Sequence, residues 1–327
     1  MKIILSVFAC HSERQRRISR FLVLLSTFLP FYLSTFLHGF ASKKDRGTTG
    51  AQFLKIGAGA RAVGMGEAFS GIADDVSSIY WNPAGMSNLE KPVMEAMYSE
   101  WFLGMNYQFM AFAYPSPIGT FGMSLSGFNV SNIEKRTEDT AEPLAEFGAQ
   151  DAAYSLAYSR KVIEKLSAGV NVKIIRQEID DENASAFGAD IGAFYRIPVD
   201  KLTCGFVVQN IGNKVKFIEE GDPLPMKIKL GFGYRLLSDK LLVGLDVNAP
   251  NDNQLYASAG AEYTSKIIYD LSGSVRAGYK TGQETGGGFD GLATGAGLGY
   301  KNFNLNFAWV PYGDLGNTFR YSLVVKF

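Results

Sequence analysis

The chain has 327 residues, no net formal charge and a mean hydropathy of zero, with 20% charged and 46% hydrophobic residues. Its 36 Gly, 24 Phe, 16 Tyr and 3 Trp exclude a disordered chain. Two cysteines, Cys10 and Cys204, exclude a disulfide scaffold, and nothing in the charge pattern suggests a polybasic nucleic-acid partner.

The first segment reads as a leader. Residues 21–41 are the one stretch apolar and long enough to span a bilayer as a helix. Arg14, Arg16, Arg17 and Arg20 precede it, and it ends in Gly39-Phe40-Ala41. A basic region, an apolar run and small residues at the cleavage positions predict a signal peptide over 1–41, with an uncleaved anchor as the alternative. Cleavage removes both histidines, His11 and His38, together with Cys10. It also removes five of 32 basic and one of 32 acidic residues, leaving 27 against 31, a net charge of −4. A chain without histidine cannot build a Ser-His-Asp triad or a His-ligated metal site. No enzyme activity, metal or other cofactor is expected.

From Pro92 to the end the sequence alternates with period two, in segments of about ten residues. Phe319, Tyr321, Leu323, Val325 and Phe327 point one way, and Arg320, Ser322, Val324 and Lys326 the other. In 166–174, Leu166, Ala168, Val170, Val172 and Ile174 alternate with Ser167, Gly169, Asn171 and Lys173. Some fourteen such segments fit between 93 and 327. Their connections alternate between short turns, such as 116–118 and 162–164, and longer polar loops, such as 130–149, 211–224 and 281–290. Short turns on one rim and long loops on the other mark a transmembrane antiparallel β-barrel, the expected all-β fold. A spanning sheet must close on itself, because lipid offers no hydrogen-bond partners. Its outer face needs only every second residue apolar, which keeps mean hydropathy near zero. Tyr98, Trp101, Tyr114, Tyr158, Tyr195, Tyr234, Tyr300 and Trp309 are candidates for the interfacial aromatic girdles. The terminal Phe327 matches the ending read by the outer-membrane insertion machinery, and bilayer lipid is the other expected partner.

Residues 42–92 differ in kind. Gly57-Ala-Gly-Ala-Arg-Ala-Val-Gly64 is not a dinucleotide fingerprint, since Ala62 stands where the third glycine belongs. Asn82-Pro83-Ala84-Gly85 is turn chemistry. Asp74, Asp75 and Ser77 are placed to cap a short helix beginning at Ser78. Gly57, Gly59, Gly64 and Gly66 let backbone approach a neighbouring wall. Arg61 and Glu67 are candidates for ion pairs with lumen charges; for Glu67 these include Lys173, Lys229, Arg235, Arg276 and Arg320. The acidic run Asp180-Asp181-Glu182 lacks the spacing of a calcium loop and reads as a solvated charge run.

The run from Gly50 to Asp75, followed by Ile79-Tyr-Trp-Asn-Pro-Ala-Gly-Met86, closely resembles the PorV/PorQ family, a branch of the FadL-like outer-membrane barrels. The resemblance implies a fourteen-stranded barrel over 93–327, a hatch inside the lumen over 42–92, and a place in the outer membrane of a Gram-negative-type bacterium. It makes Gly57, Gly59, Arg61, Gly64, Gly66, Asp74, Asp75, Trp81, Asn82, Pro83 and Gly85 the hatch and gating candidates. Transport of hydrophobic small molecules is the first functional expectation. The alternatives are a type IX secretion accessory that binds exported proteins at the cell surface, and a structural surface barrel. A continuous apolar tunnel beside Asn82-Pro83 would favour transport; a filled lumen under structured loops would favour docking.

Overall fold

The computed structural model describes residues 45–139, 142–283, 286 and 288–327, so the expected leader over 1–41 lies outside the described residues. Strands β1 (Val93–Glu100), β2 (Asn106–Ser116), β3 (Gly119–Lys135) and β4 (Ala145–Ile163) begin the sheet. They are followed by β5 (Leu166–Ile179), β6 (Glu182–Arg196) and β7 (Leu202–Gly212). Two short strands, β8 (Val215–Lys216) and β9 (Gly221–Asp222), pair only with each other. The sheet resumes with β10 (Lys227–Leu236), β11 (Leu241–Pro250), β12 (Tyr256–Ile268) and β13 (Leu271–Lys280). It ends with β14 (Leu292–Tyr300), β15 (Phe303–Pro311) and β16 (Asn317–Lys326). All but β8 and β9 form one closed antiparallel barrel of fourteen strands, sealed where β1 pairs with β16 from Val93↔Lys326 to Glu100↔Phe319. Among the described residues no helix is long and apolar enough to cross a membrane.

The period-two pattern sorts the two faces as expected. Val170, Val172 and Ile174 are exposed on the outside, while Ser167, Asn171 and Lys173 are buried toward the lumen. A belt of aromatic rings follows the short-turn rim: Tyr114 pairs with Phe121, Phe121 with Tyr158, and Tyr300 with Phe303. Tyr195, Tyr234 and Tyr263 stand on the same level and are exposed. Such a ring suits a membrane–water interface. Trp101 departs from that expectation. It follows β1 on the lumen side and packs against Phe128 and Tyr312, with ring centroids 6.3 and 5.4 Å away.

The segment 130–149, expected to be a loop, is mostly strand. β3 and β4 run for 17 and 19 residues, and β5 and β6 for 14 and 15, against about 9–11 needed to cross a bilayer. The excess forms a wall rising on the long-loop side. Alternation fades there because both faces meet water, and a bulge between Val130 and Ile133 shifts the register. Asn132 takes φ +59° at that bulge.

Candidate functional site

Residues 45–92 thread the interior of the barrel and touch its wall all the way round. Glycine makes this possible. A Cβ on Gly64 would lie 3.2 Å from the Gly295 Cα, and one on Gly66 would lie 2.6 Å from the Tyr279 nitrogen. Gly66 also needs its φ of +65°, which side chains disfavour. The wall answers with its own glycines. A Cβ on Gly205 would overlap the Ser70 carbonyl, one on Gly260 the Met65 carbonyl, and one on Gly169 the Pro83–Ala84 backbone. Gly57 and Gly59 face neighbours within the segment, Trp81 and Ser77 respectively, and Gly59 also meets the Glu95 carboxylate. Gly85 lies against the backbone of Ala73.

Charge forms the second set of contacts. Arg61, in the short helix Ala60–Gly64, donates to Glu262 of β12 at 2.9 and 2.8 Å, to Asp74 at 2.5 Å and to Asp75 at 2.9 Å. Arg276 reaches the same Glu262 at 2.5 Å, and Arg235 pairs with Asp74. Desolvation works against the buried Arg61 charge, but Asp74, Glu262 and Asp75 outweigh it and hold the guanidinium well above its usual range. Glu67 pairs with Lys280 at 2.9 Å, a lysine outside the expected partners. Burial would raise the Glu67 carboxyl, yet Lys280, Lys227 and Arg320 together hold it below its ordinary value. Asp252, in the loop between β11 and β12, behaves alike: burial opposes its charge, and bonds from Lys55 and Thr49 win.

The expected cap of the helix Ser78–Trp81 takes a different form. Ser77 is the N-cap residue but its side chain makes no capping bond. Instead Asp75 accepts from the Ser77 N–H at 2.9 Å and its hydroxyl at 2.6 Å, while Asp74 is drawn to Arg61. Trp81 donates to the Ala58 carbonyl at 2.8 Å and lies under the Lys229 ammonium, 4.5 Å from the ring centroid. Lys229 in turn pairs with Asp246, which accepts from Ser70. Asn82 ties segment to wall, donating to the Ser70 and Ala193 carbonyls at 3.0 Å each. Pro83 opens the 3-10 turn Pro83–Asn88, whose Ala84 N–H bonds back to Asn82. Phe327 is exposed beyond β16, and its N–H donates to the Pro92 carbonyl at 2.9 Å. Sequence reasoning missed Glu262, Asp246 and Lys280, all lumen-facing by strand parity alone. That parity was the available signal, since each falls on the face of the glycines that seat the inner segment.

The surroundings differ from one side of the segment to the other. Toward the long-loop rim, Phe53, Leu54, Phe109, Ile175, Val215 and Leu224 form a buried apolar cluster. Toward the short-turn rim lies a cavity of about 460 Å³, lined by Arg61, Glu262 and Arg276 and by polar wall residues such as Ser272, Asn304 and Asn306.

A closed barrel of fourteen strands, banded by aromatic rings and filled by its own N-terminal segment, is the architecture of a membrane-spanning β-barrel with an internal plug. Solved structures agree on the fold. The toluene transporter TbuX of Ralstonia pickettii is 12% identical, with a TM-score of 0.57, covering 82% of this chain and 97% of that one. A FadL homologue of Pseudomonas aeruginosa is 12% identical, with a TM-score of 0.57, over 83% and 98%. The toluene transporter TodX of Pseudomonas putida is 11% identical, with a TM-score of 0.56, over 82% and 96%. No curated protein sequence matches the chain. The sequence model of the family described as type IX secretion system protein PorV matches residues 40–250, and the chain belongs to that family.

Proposed function

We propose that the chain is a closed docking barrel in the outer membrane that holds exported proteins at the cell surface in type IX secretion. The observation that carries this reading is the packing beside Asn82-Pro83, the place where a tunnel would favour transport. There Gly169, Gly192 and Gly205 of the wall lie directly against the inner segment. The raised wall of β3–β6 offers the contact surface. It displays exposed Glu134, Glu138, Glu146, Glu178, Asp181 and Glu182, and the Lys135–Asp180 pair links two of its hairpins. Family membership supports the pathway. The test is a photo-crosslinking residue at Ser131 or Glu146 in the native membrane. Exported proteins should be recovered on it, and deletion should release them from the surface. Unchanged surface display in the deletion strain, with no exported protein captured, would remove the reading.

A second reading is transport of hydrophobic small molecules. The apolar cluster behind the long-loop rim favours it, since it offers a non-aqueous first station if the inner segment moves as a hatch. Uptake of a monoaromatic hydrocarbon that is the same with and without the protein would end it.

A further inference from the structure

One fully buried lumen cation stands without an ion pair toward the long-loop mouth. Arg320, on β16, is 1% exposed and is the largest fully buried side chain. Among the described residues it has no ion pair. Its Nη1 donates to the Thr318 hydroxyl at 3.0 Å, and its Nε has no hydrogen-bond partner. Two further donors lie beside it and are equally unpartnered. Ser99 stands opposite Arg320 in the β1–β16 ladder, is fully buried, and its hydroxyl bonds to nothing. Trp101 follows on the same face, with the guanidinium 5.9 Å from its ring centroid and its indole N–H also unpartnered.

Three buried donors, one of them charged, are costly to leave unmade. Glu67 is a carboxylate whose field reaches Arg320, but it is already engaged by Lys280 and lies within the field of Lys227 as well. Lys227 has no carboxylate at ion-pair distance among the described residues and faces the Tyr256 ring at 5.7 Å. Arg320, Lys227 and Lys280 therefore share Glu67, and the other carboxylate acting on Lys227, Asp252, is already paired with Lys55. Burial without a counter-charge is the arrangement that a bound anion relieves. A guanidinium edge and an indole N–H are donors only, and the hydroxyl beside them can donate as well, which suits an oxyanion.

We propose that Arg320, Ser99 and Trp101 form a binding site for a small oxyanion, a carboxylate or a phosphate, under the aromatic cluster of Trp101, Phe102, Phe128 and Tyr312 at the long-loop mouth. It lies apart from the docking wall and does not depend on that reading.

The test uses the full barrel, purified in detergent in chloride buffer, titrated separately with inorganic phosphate and with acetate at matched ionic strength. A saturable change in tryptophan fluorescence is expected with at least one of them, and it should vanish in Trp101→Phe. Which anion saturates identifies the chemistry. Ser99→Ala should weaken binding severalfold, and Arg320→Met at least tenfold. Arg320→Met carries a second readout: in chloride it should unfold at a higher temperature than the unsubstituted protein, and at saturating anion the order should reverse. Should Arg320→Met not reach the folded barrel, Ser99→Ala decides by the fluorescence titration alone. A linear response to both anions, or Arg320→Met less stable with and without anion alike, would overturn the proposal.

Discussion

The inner segment is fastened in two ways, and the two differ in kind. From Met65 to Gly71, and again at Asn82–Ala84, it meets the wall backbone to backbone, through facing glycines such as Gly205, Gly260 and Gly169. At Arg61, Glu67 and Asp74 it is held by side-chain charge, through Glu262, Lys280 and Arg235. The first kind of contact is steric and indifferent to solvent conditions; the second can be altered by protonation or by a single neutralising substitution. A closed lumen thus has one seam set by volume and one set by charge.

The largest effect should come from spoiling a steric seat. Gly205→Val places a branched side chain into the Ser70 carbonyl, which is itself fixed by the Asn82 amide. Overpacking of a filled core costs about 1–3 kcal/mol and more where the opposing atom is backbone, so the cost here should exceed ~3 kcal/mol. The measurement is the fraction of protein showing the compact, heat-modifiable gel band, which should fall sharply. A normal band would mean that the segment is free to shift away from the wall.

The charged seam comes next. Arg61→Met removes the cation shared by Glu262, Asp74 and Asp75. Breaking a buried pair by removing one partner costs about 3–5 kcal/mol. The lower end is expected, because Arg276 and Arg235 remain to hold Glu262 and Asp74. The barrel should still form, with a lower unfolding temperature and faster proteolysis within 45–92. Equal proteolysis in both proteins would show that the glycine seats alone fix the segment.

Acid should loosen the same seam by a smaller amount. The Glu67 carboxyl is held below its ordinary value of 4.5, and Asp252 below its ordinary value of 3.8. Their contribution is complete above those ordinary values. It is lost as pH falls through the depressed folded-state values. The unfolding temperature should be flat from pH 7 to about 5 on this account and fall below that. In Glu67→Gln the acid limb should shrink. An unchanged acid limb would assign the loss to other carboxylates.

The two seams were not equally legible in the sequence. The barrel was legible because period-two alternation is imposed by lipid on one face, so Val170, Val172 and Ile174 declare their side whatever the lumen holds. The wall above the bilayer was not, because no apolar constraint acts there, and 130–149 read as loop although β3 and β4 continue through much of it. On the inner segment, Gly57, Gly64 and Gly66 were conspicuous, and Arg61 was expected to find lumen charge. Its partner Glu262 and the Glu67 partner Lys280 were hidden, since ion pairing across about two hundred residues leaves no local pattern. Trp101 was misplaced for a related reason. Aromatic residues at strand ends serve equally as lipid girdle and as lumen lid, and only the face on which β1 ends decides between them.

The smallest effect is the control that gives the steric claim its meaning. Gly127 lies in a barrel strand, β3, as Gly205 lies in β7, but on the outer face, where a Cβ built on it meets no atom within 4 Å. Its φ is not in the left-handed region, so no backbone strain attends a substitution. Gly127→Ala should change stability by no more than about 0.5 kcal/mol. If it instead weakened the heat-modifiable band, the cost at Gly205 would belong to glycine's backbone freedom in a bent strand rather than to contact with the inner segment. If it is silent while Gly205→Val is severe, losing a strand glycine is not the cost by itself: Gly127 looks out of the barrel into open space, and Gly205 looks in, onto the Ser70 carbonyl of the inner segment.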